Sequence, residues 1–149
     1  MKKIFSGIGT IELTKRVAYL ISKQIVEGDC ILLGGDLGSG KTTFTKFLGE
    51  FLGIKEIISS PTFTILKQYE TKKFTFNHFD FYRLSNDKDN DFDFIDYIED
   101  KKSVSVIEWY NQYEKILPTQ YILINFKEIG ENRLIEVFSS NHIESIENE

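Results

Sequence analysis

The chain has 149 residues, 41% hydrophobic, 14% aromatic and 28% charged, with a formal net charge of −5. That length suits one domain with a sizeable core, and the composition excludes a disordered chain. The acidic balance argues against a protein that grips DNA or RNA unaided, because such a surface replaces phosphate counterions with Lys and Arg. It leaves room for a partner that does the gripping.

The longest apolar runs are short, such as Cys30 to Leu33. None approaches the ~20 residues of a membrane span. The N-terminal MKKIFSGIGT has two lysines and no signal-length apolar segment behind them, so a cytoplasmic protein is expected. The single cysteine, Cys30, sits inside an apolar run and reads as a small buried hydrophobe.

Ile4 and Phe5 suggest a short first strand closed by Ser6 and Gly7. From Thr10 to Val26, Leu13, Val17, Leu20, Ile21 and Ile25 recur at helical spacing, with Thr10 as N-cap. Cys30 to Leu33 reads as a buried strand. A glycine-rich loop follows, then a helix from Lys41 to Leu52 stopped by Gly53. Ile57 and Ile58 suggest a further short strand. Phe63 to Tyr69 and Phe74 to Phe81 flank a hairpin turn at residues 70–73. Residues 85–91 are polar and loop-like, Phe92 to Ile98 a short helix, Val104 to Ile107 a buried strand and Tyr110 to Ile116 a weak helix. Tyr121 to Phe126 and Arg133 to Phe138 are two late strands. The expectation is one α/β domain over residues 1–138, with a mixed, mostly parallel sheet flanked by helices. Residues 139–149 form a polar, acidic tail expected to fray.

Gly35-Asp36-Leu37-Gly38-Ser39-Gly40-Lys41-Thr42 matches G-x-x-x-x-G-K-[ST] in full. The glycines let the backbone wind tightly and aim N–H groups at phosphate oxygens. Lys41 would reach the β- and γ-phosphates, and the Thr42 hydroxyl could ligate Mg²⁺. The helix that starts here turns its positive end toward the anion.

Hydrolysis also needs a carboxylate at the end of a neighbouring strand. Val104 to Ile107 finishes in Glu108, the form of a Walker B segment with Glu for the usual Asp. An ordinary exposed strand-end Glu is the alternative. HFDFYR (78–83) offers the second. Alternation puts His78, Asp80 and Tyr82 on one face and Phe79 and Phe81 on the other. A half-buried strand with a solvated polar face explains that pattern too. Asp80 and Glu108 both ending strands favours a site at the strand edge. The Asp87 to Asp93 run begins like a calcium loop, but Phe92 replaces the required glycine and Ile98 the final Glu. It reads as a solvated loop.

No N-K-x-D or D-x-x-G occurs, as a GTPase would require. With only Arg16, Arg83 and Arg133, the arginines of a small-molecule kinase are short. What remains is a small ATPase with few catalytic groups of its own, and such a protein needs a partner.

GDLGSGKTT (35–43), SSPTF (59–63), HFDFYRL (78–84) and IEW (107–109), followed by Leu117-Pro118, together resemble the TsaE family. These are bacterial ATPases needed to make threonylcarbamoyladenosine in tRNA. The resemblance implies a compact P-loop domain in which Gly35 and Gly38, Ser39, Gly40, Lys41, Thr42 and Thr43 hold the ATP phosphates. Thr42 and Glu108 would serve Mg²⁺, and Asp80 would act in hydrolysis. Thr62 would lie in a switch-like segment, residues 60–63, near the γ-phosphate. Thr10 and Arg133 match positions at the base and nucleotide edge, and Trp109 a tryptophan beside the site. It further implies TsaD and TsaB as partners, with docking on their dimer and tRNA reached only through them. No DNA or membrane partner is implied. TsaD transfers the threonylcarbamoyl group, and ATP hydrolysis supports repeated turnover. Two stretches depart from the family pattern: the Asp-rich run, with no glycine between Gly53 and Gly130, and YNQYEK after Trp109. Within HFDFYR, Phe79 and Phe81 are then expected in the core, Asp80 at the site, and His78, Tyr82 and Arg83 beside it or on a partner surface. The competing readings are a small P-loop kinase and a nucleotide-gated adaptor that need not hydrolyse.

Overall fold

A computed structural model describes residues 1–36, 38–61, 65–82 and 91–147, without the side chains of 91–93. Seven strands form one sheet: β1 (Lys2–Gly9), β2 (Cys30–Gly34), β3 (Leu66–Glu70), β4 (Thr75–Asp80), β5 (Ser103–Glu108), β6 (Ile122–Ile129) and β7 (Asn132–Ser139). Helices α1 (Ile11–Ser22), α2 (Lys41–Phe51) and α3 (Asp91–Glu99) connect them, with a 3₁₀ segment at Tyr110–Ile116. The spatial order is β1-β7-β6-β2-β5-β4-β3. The four central strands, β6, β2, β5 and β4, run parallel, while β1, β7 and β3 add antiparallel margins.

Side chains alternate across the pleat, so each central strand feeds two cores. Ile31 and Leu33 of β2, Phe76 of β4 and Val104 and Val106 of β5 pack with Val17, Leu20 and Ile21 of α1 and Phe44 and Leu48 of α2. Their neighbours Cys30, Leu32, Phe79 and Ile107 pack on the other face with Phe81, Ile98 and Ile116. Two-sided burial explains why β2 and β5 are continuous apolar runs.

The register sets one sheet edge. In the parallel ladders, Leu33 of β2 stands opposite Glu108 of β5, and Glu108 opposite Asp80 of β4. The chain leaves β2 directly into the glycine loop at the same edge.

Four expectations differ from the structure. The first strand does not stop at Ser6-Gly7 but pairs with β7 as far as Gly9. As an edge strand it exposes alternate residues, so it lacks a continuous apolar run. Helix α1 has Thr10 as its N-cap, as expected, but ends at Ser22. Ile25 still reaches the core, because the chain turns there and the Asp29 carboxylate accepts from Val26 N. Ile57 and Ile58 form no strand: Ile57 is 88% exposed and Ile58 is buried. Residues 140–147 do not fray either. Ile143 and Ile146, each 1% exposed, join the larger core, and His142 bonds to Asp29 at 2.8 Å. Arg83, the polar run from Ser85 to Asn90, and residues 62–64, including Thr62, lie outside the described residues. Among the described residues no helix is long and apolar enough to cross a membrane.

Replacing Ile146 by Ala should therefore cost about 2–4 kcal/mol of folding stability, the usual range for a buried aliphatic truncation. Chemical denaturation measures it. A loss near zero would mean the C-terminal segment does not dock.

Candidate functional site

The glycines at the two ends of the loop, Gly35 and Gly40, sit on backbone that L side chains resist. Gly35 has φ +136° and Gly40 has φ +113°. A Cβ on Gly35 would lie 2.5 Å from the Phe126 carbonyl oxygen. Gly40 is the N-cap of α2 and offers no side-chain cap, so the first N–H groups of the helix are left for an external acceptor.

Lys41, only 4% exposed, folds back over the loop. Its Nζ donates to the Gly35 carbonyl at 2.6 Å and stands 3.5 Å from the centre of the Trp109 ring. Burial pushes its pKa below that of an ordinary lysine, against the opposing pull of the Glu108, Asp80 and Asp36 carboxylates. Arg133, on β7, reaches the same loop from the other side: its Nη1 would be 2.8 Å from a Cβ on Gly40. That Nη1 is buried and has no hydrogen-bond partner among the described residues. The Ser39 hydroxyl is buried and unpartnered as well.

The two carboxylates meet the loop at the sheet edge. Thr42 Oγ1 donates toward Glu108, with Oε1 at 3.2 Å and Oε2 at 3.3 Å. Glu108 is 2% exposed, and His78 Nε2 approaches its Oε2 at 2.6 Å. Asp80 accepts from the Ser60 hydroxyl at 2.7 Å and from Tyr82 N at 2.9 Å. After Glu108 the backbone turns sharply, with Trp109 at φ +58°. Left-handed backbone is unusual for a bulky residue and marks a position held by its surroundings. The indole packs at a 49° tilt against the Tyr82 ring, ring centres 4.8 Å apart.

These groups line one cleft of about 560 Å³: Gly38, Gly40, Lys41, Thr42, Thr43, Ser60, Asp80, Tyr82, Glu108, Trp109 and Arg133. Glycine-turned backbone, a helix N-terminus without a side-chain cap and two cations make the cleft suited to an anion. Thr42 and Glu108 are the pair that could hold a divalent cation beside it. Among the described residues no cluster of three His, Cys, Asp or Glu could hold a metal by itself.

The matching family model is "Threonylcarbamoyl adenosine biosynthesis protein TsaE", aligned over residues 8–135. This chain belongs to the TsaE family. The TsaE protein of Bacillus subtilis strain 168 is 40% identical over 121 residues, covering 81% of this chain and 75% of that one. Its Haemophilus influenzae counterpart is 33% identical over 130 residues, covering 87% and 82%. The crystal structure of Bacillus subtilis YdiB superposes with a TM-score of 0.77 at 34% identity, covering 95% of this chain and 88% of that one. The family serves tRNA threonylcarbamoyladenosine biosynthesis, and the α/β fold with its mixed seven-stranded sheet agrees with that structural neighbour.

Of the residues singled out in the sequence, Gly38, Gly40, Lys41, Thr42, Thr43, Asp80, Glu108 and Arg133 all line the cleft. Gly35 lines an adjoining cavity on the far side of Lys41. Thr10 is not part of the cleft lining; its hydroxyl accepts from Glu12 N and caps α1. Thr62 lies outside the described residues. The reading of the sequence left His78 and Tyr82 undecided between the site's surroundings and a partner surface. The structure buries His78 against Glu108 and puts Tyr82 on the cleft wall. The signal for His78 was its even spacing from Asp80, but the strand beside it could not be read locally.

Gly35→Ala should weaken nucleotide binding at least tenfold, about 1.4 kcal/mol, since φ +136° and the Phe126 carbonyl both exclude a methyl group. Titration of nucleotide against the emission of Trp109, the sole tryptophan, measures it. An unchanged affinity would mean the loop does not form the anion cradle.

Proposed function

We propose that the protein binds ATP with Mg²⁺ and hydrolyses it, as the ATPase subunit of threonylcarbamoyladenosine formation in tRNA. It would act in the cytoplasm with TsaD and TsaB, which hold the tRNA. The observation that carries this reading is the Thr42–Glu108 contact at the mouth of the glycine loop, with Asp80 level with Glu108 in the sheet register.

The residues divide the work by position. The loop amides and the first turn of α2 bind the β- and γ-phosphates. Lys41 leaves the Gly35 carbonyl and the Trp109 ring to donate to them, and Arg133 supplies its free Nη1 at Gly40. Mg²⁺, when bound, neutralises charge that builds on the phosphate oxygens. Thr42 and Glu108 would hold it. Asp80 orients the attacking water, its carboxylate aligned by Ser60 and Tyr82 N. Trp109 and Tyr82 wall the cleft and limit solvent.

Lys41 and Arg133 are the cations lining the cleft among the described residues. With so little positive charge to stabilise the transition state, turnover by the protein alone is slow and partner docking raises it.

Asp80→Ala and Glu108→Ala should each lower kcat about a hundredfold or more while ATP affinity changes little. Lys41→Ala should instead weaken ATP binding about tenfold or more. Phosphate release and equilibrium binding on the same samples separate the two effects. Normal turnover in both carboxylate variants would remove the ATPase assignment.

A further inference from the structure

His78 is the most deeply buried ionisable side chain near the cleft, with no exposed surface. It lies in the middle of β4, two residues past Phe76 on the same face of the sheet. An apolar side chain there would simply extend the core. Instead, among the described residues, the imidazole makes one polar contact, Nε2 to Glu108 Oε2 at 2.6 Å, and its Nδ1 is buried without a partner. An ionised carboxylate only accepts, so Nε2 carries the proton and donates. Leaving Nδ1 unsatisfied destabilises the fold. A histidine kept here for packing alone would bring that penalty and no compensation.

The contact is aimed where it matters. Glu108 Oε2 takes His78 on one side, and both carboxylate oxygens take Thr42 on the other. The carboxylate is thus clamped between a strand-borne donor and the threonine of the phosphate loop. Thr42 must give up its proton contact with Glu108 for both to turn toward a cation. Without His78 the carboxylate would then be free to swing. Donors of this kind orient metal-binding carboxylates and tune their affinity.

We propose that His78 is a positioning residue: its Nε2–H fixes the Glu108 carboxylate in the orientation that receives the divalent cation accompanying the nucleotide. This rests on the Mg²⁺–ATP reading above.

The test reads metal binding rather than turnover. Mn²⁺ binding to the full-length protein, with a non-hydrolysable ATP analogue present, is followed by electron paramagnetic resonance. His78→Gln keeps an amide donor at about the reach of Nε2, while His78→Asn is polar but too short. We expect His78→Asn to raise the Mn²⁺ dissociation constant about tenfold or more. His78→Gln should stay within about threefold of the wild type. Both should bind the analogue normally without metal. Folded Asn and Gln variants with the same Mn²⁺ affinity would overturn the proposal. Wild-type protein that holds no Mn²⁺ beside the analogue would overturn the Mg²⁺ reading and this inference with it. If the variants do not fold, the imidazole Nε2–H resonance of His78 decides, assigned against a His142→Gln sample. A shift on adding Mg²⁺ to the analogue complex is expected, and an unmoved resonance would refute the role.

Discussion

The parallel register of β2, β5 and β4 brings Leu33, Glu108 and Asp80 level with one another at a single sheet edge. Everything in the cleft depends on that alignment. β2 hands the chain to the glycine loop at this edge, and α2 carries Lys41 and Thr42 back over it. Two carboxylates from separate strands therefore face one loop without any loop having to reach for them. A slip of one residue in either ladder would turn Glu108 or Asp80 to the opposite face. The buried, two-sided packing of β4 and β5 prevents such a slip.

Charge is concentrated where water is scarce. Glu108 and Lys41 are both nearly inaccessible, and Asp80 is little more exposed. Each is held by designated donors or acceptors: Thr42 and His78 for Glu108, Ser60 and Tyr82 N for Asp80, the Gly35 carbonyl and the Trp109 ring for Lys41. In low dielectric these contacts are strong, and any one left unmade is costly. Burial already works against the charged form of Lys41. A triphosphate would restore the favourable surroundings that its ammonium lacks, which gives the cleft a physical reason to take an anion. The orphaned Nη1 of Arg133 points to the same need.

Much of this site was legible in the sequence because its parts are local. The glycine loop is contiguous, the strand ending in Glu108 announces itself by a short apolar run, and the one ending in Asp80 by alternating aromatic and polar residues. What escaped depends on long-range pairing. Nothing near residue 78 says that β4 lies beside β5, so the partnership of His78 with Glu108 could not be read. Alternation alone left a solvated polar face open as an alternative for β4, yet Phe76 on that face is buried under the helices, and His78 and Asp80 are enclosed with it. Ile143 and Ile146 stand alone among polar residues, too few to show a period, although both enter the core. The edge strand β1 runs to Gly9 through Ser6 and Gly7 because β7 holds it, not because its residues favour a strand.

The most direct test of the account is release of phosphate from Mg²⁺–ATP by the purified protein, alone and with the proposed partners, TsaD and TsaB from the same organism, added. The proposed function predicts slow release alone and a sharp rise with the pair, both lost when Mg²⁺ is chelated. No release under either condition would contradict the account, because the proposed hydrolysis would then be missing.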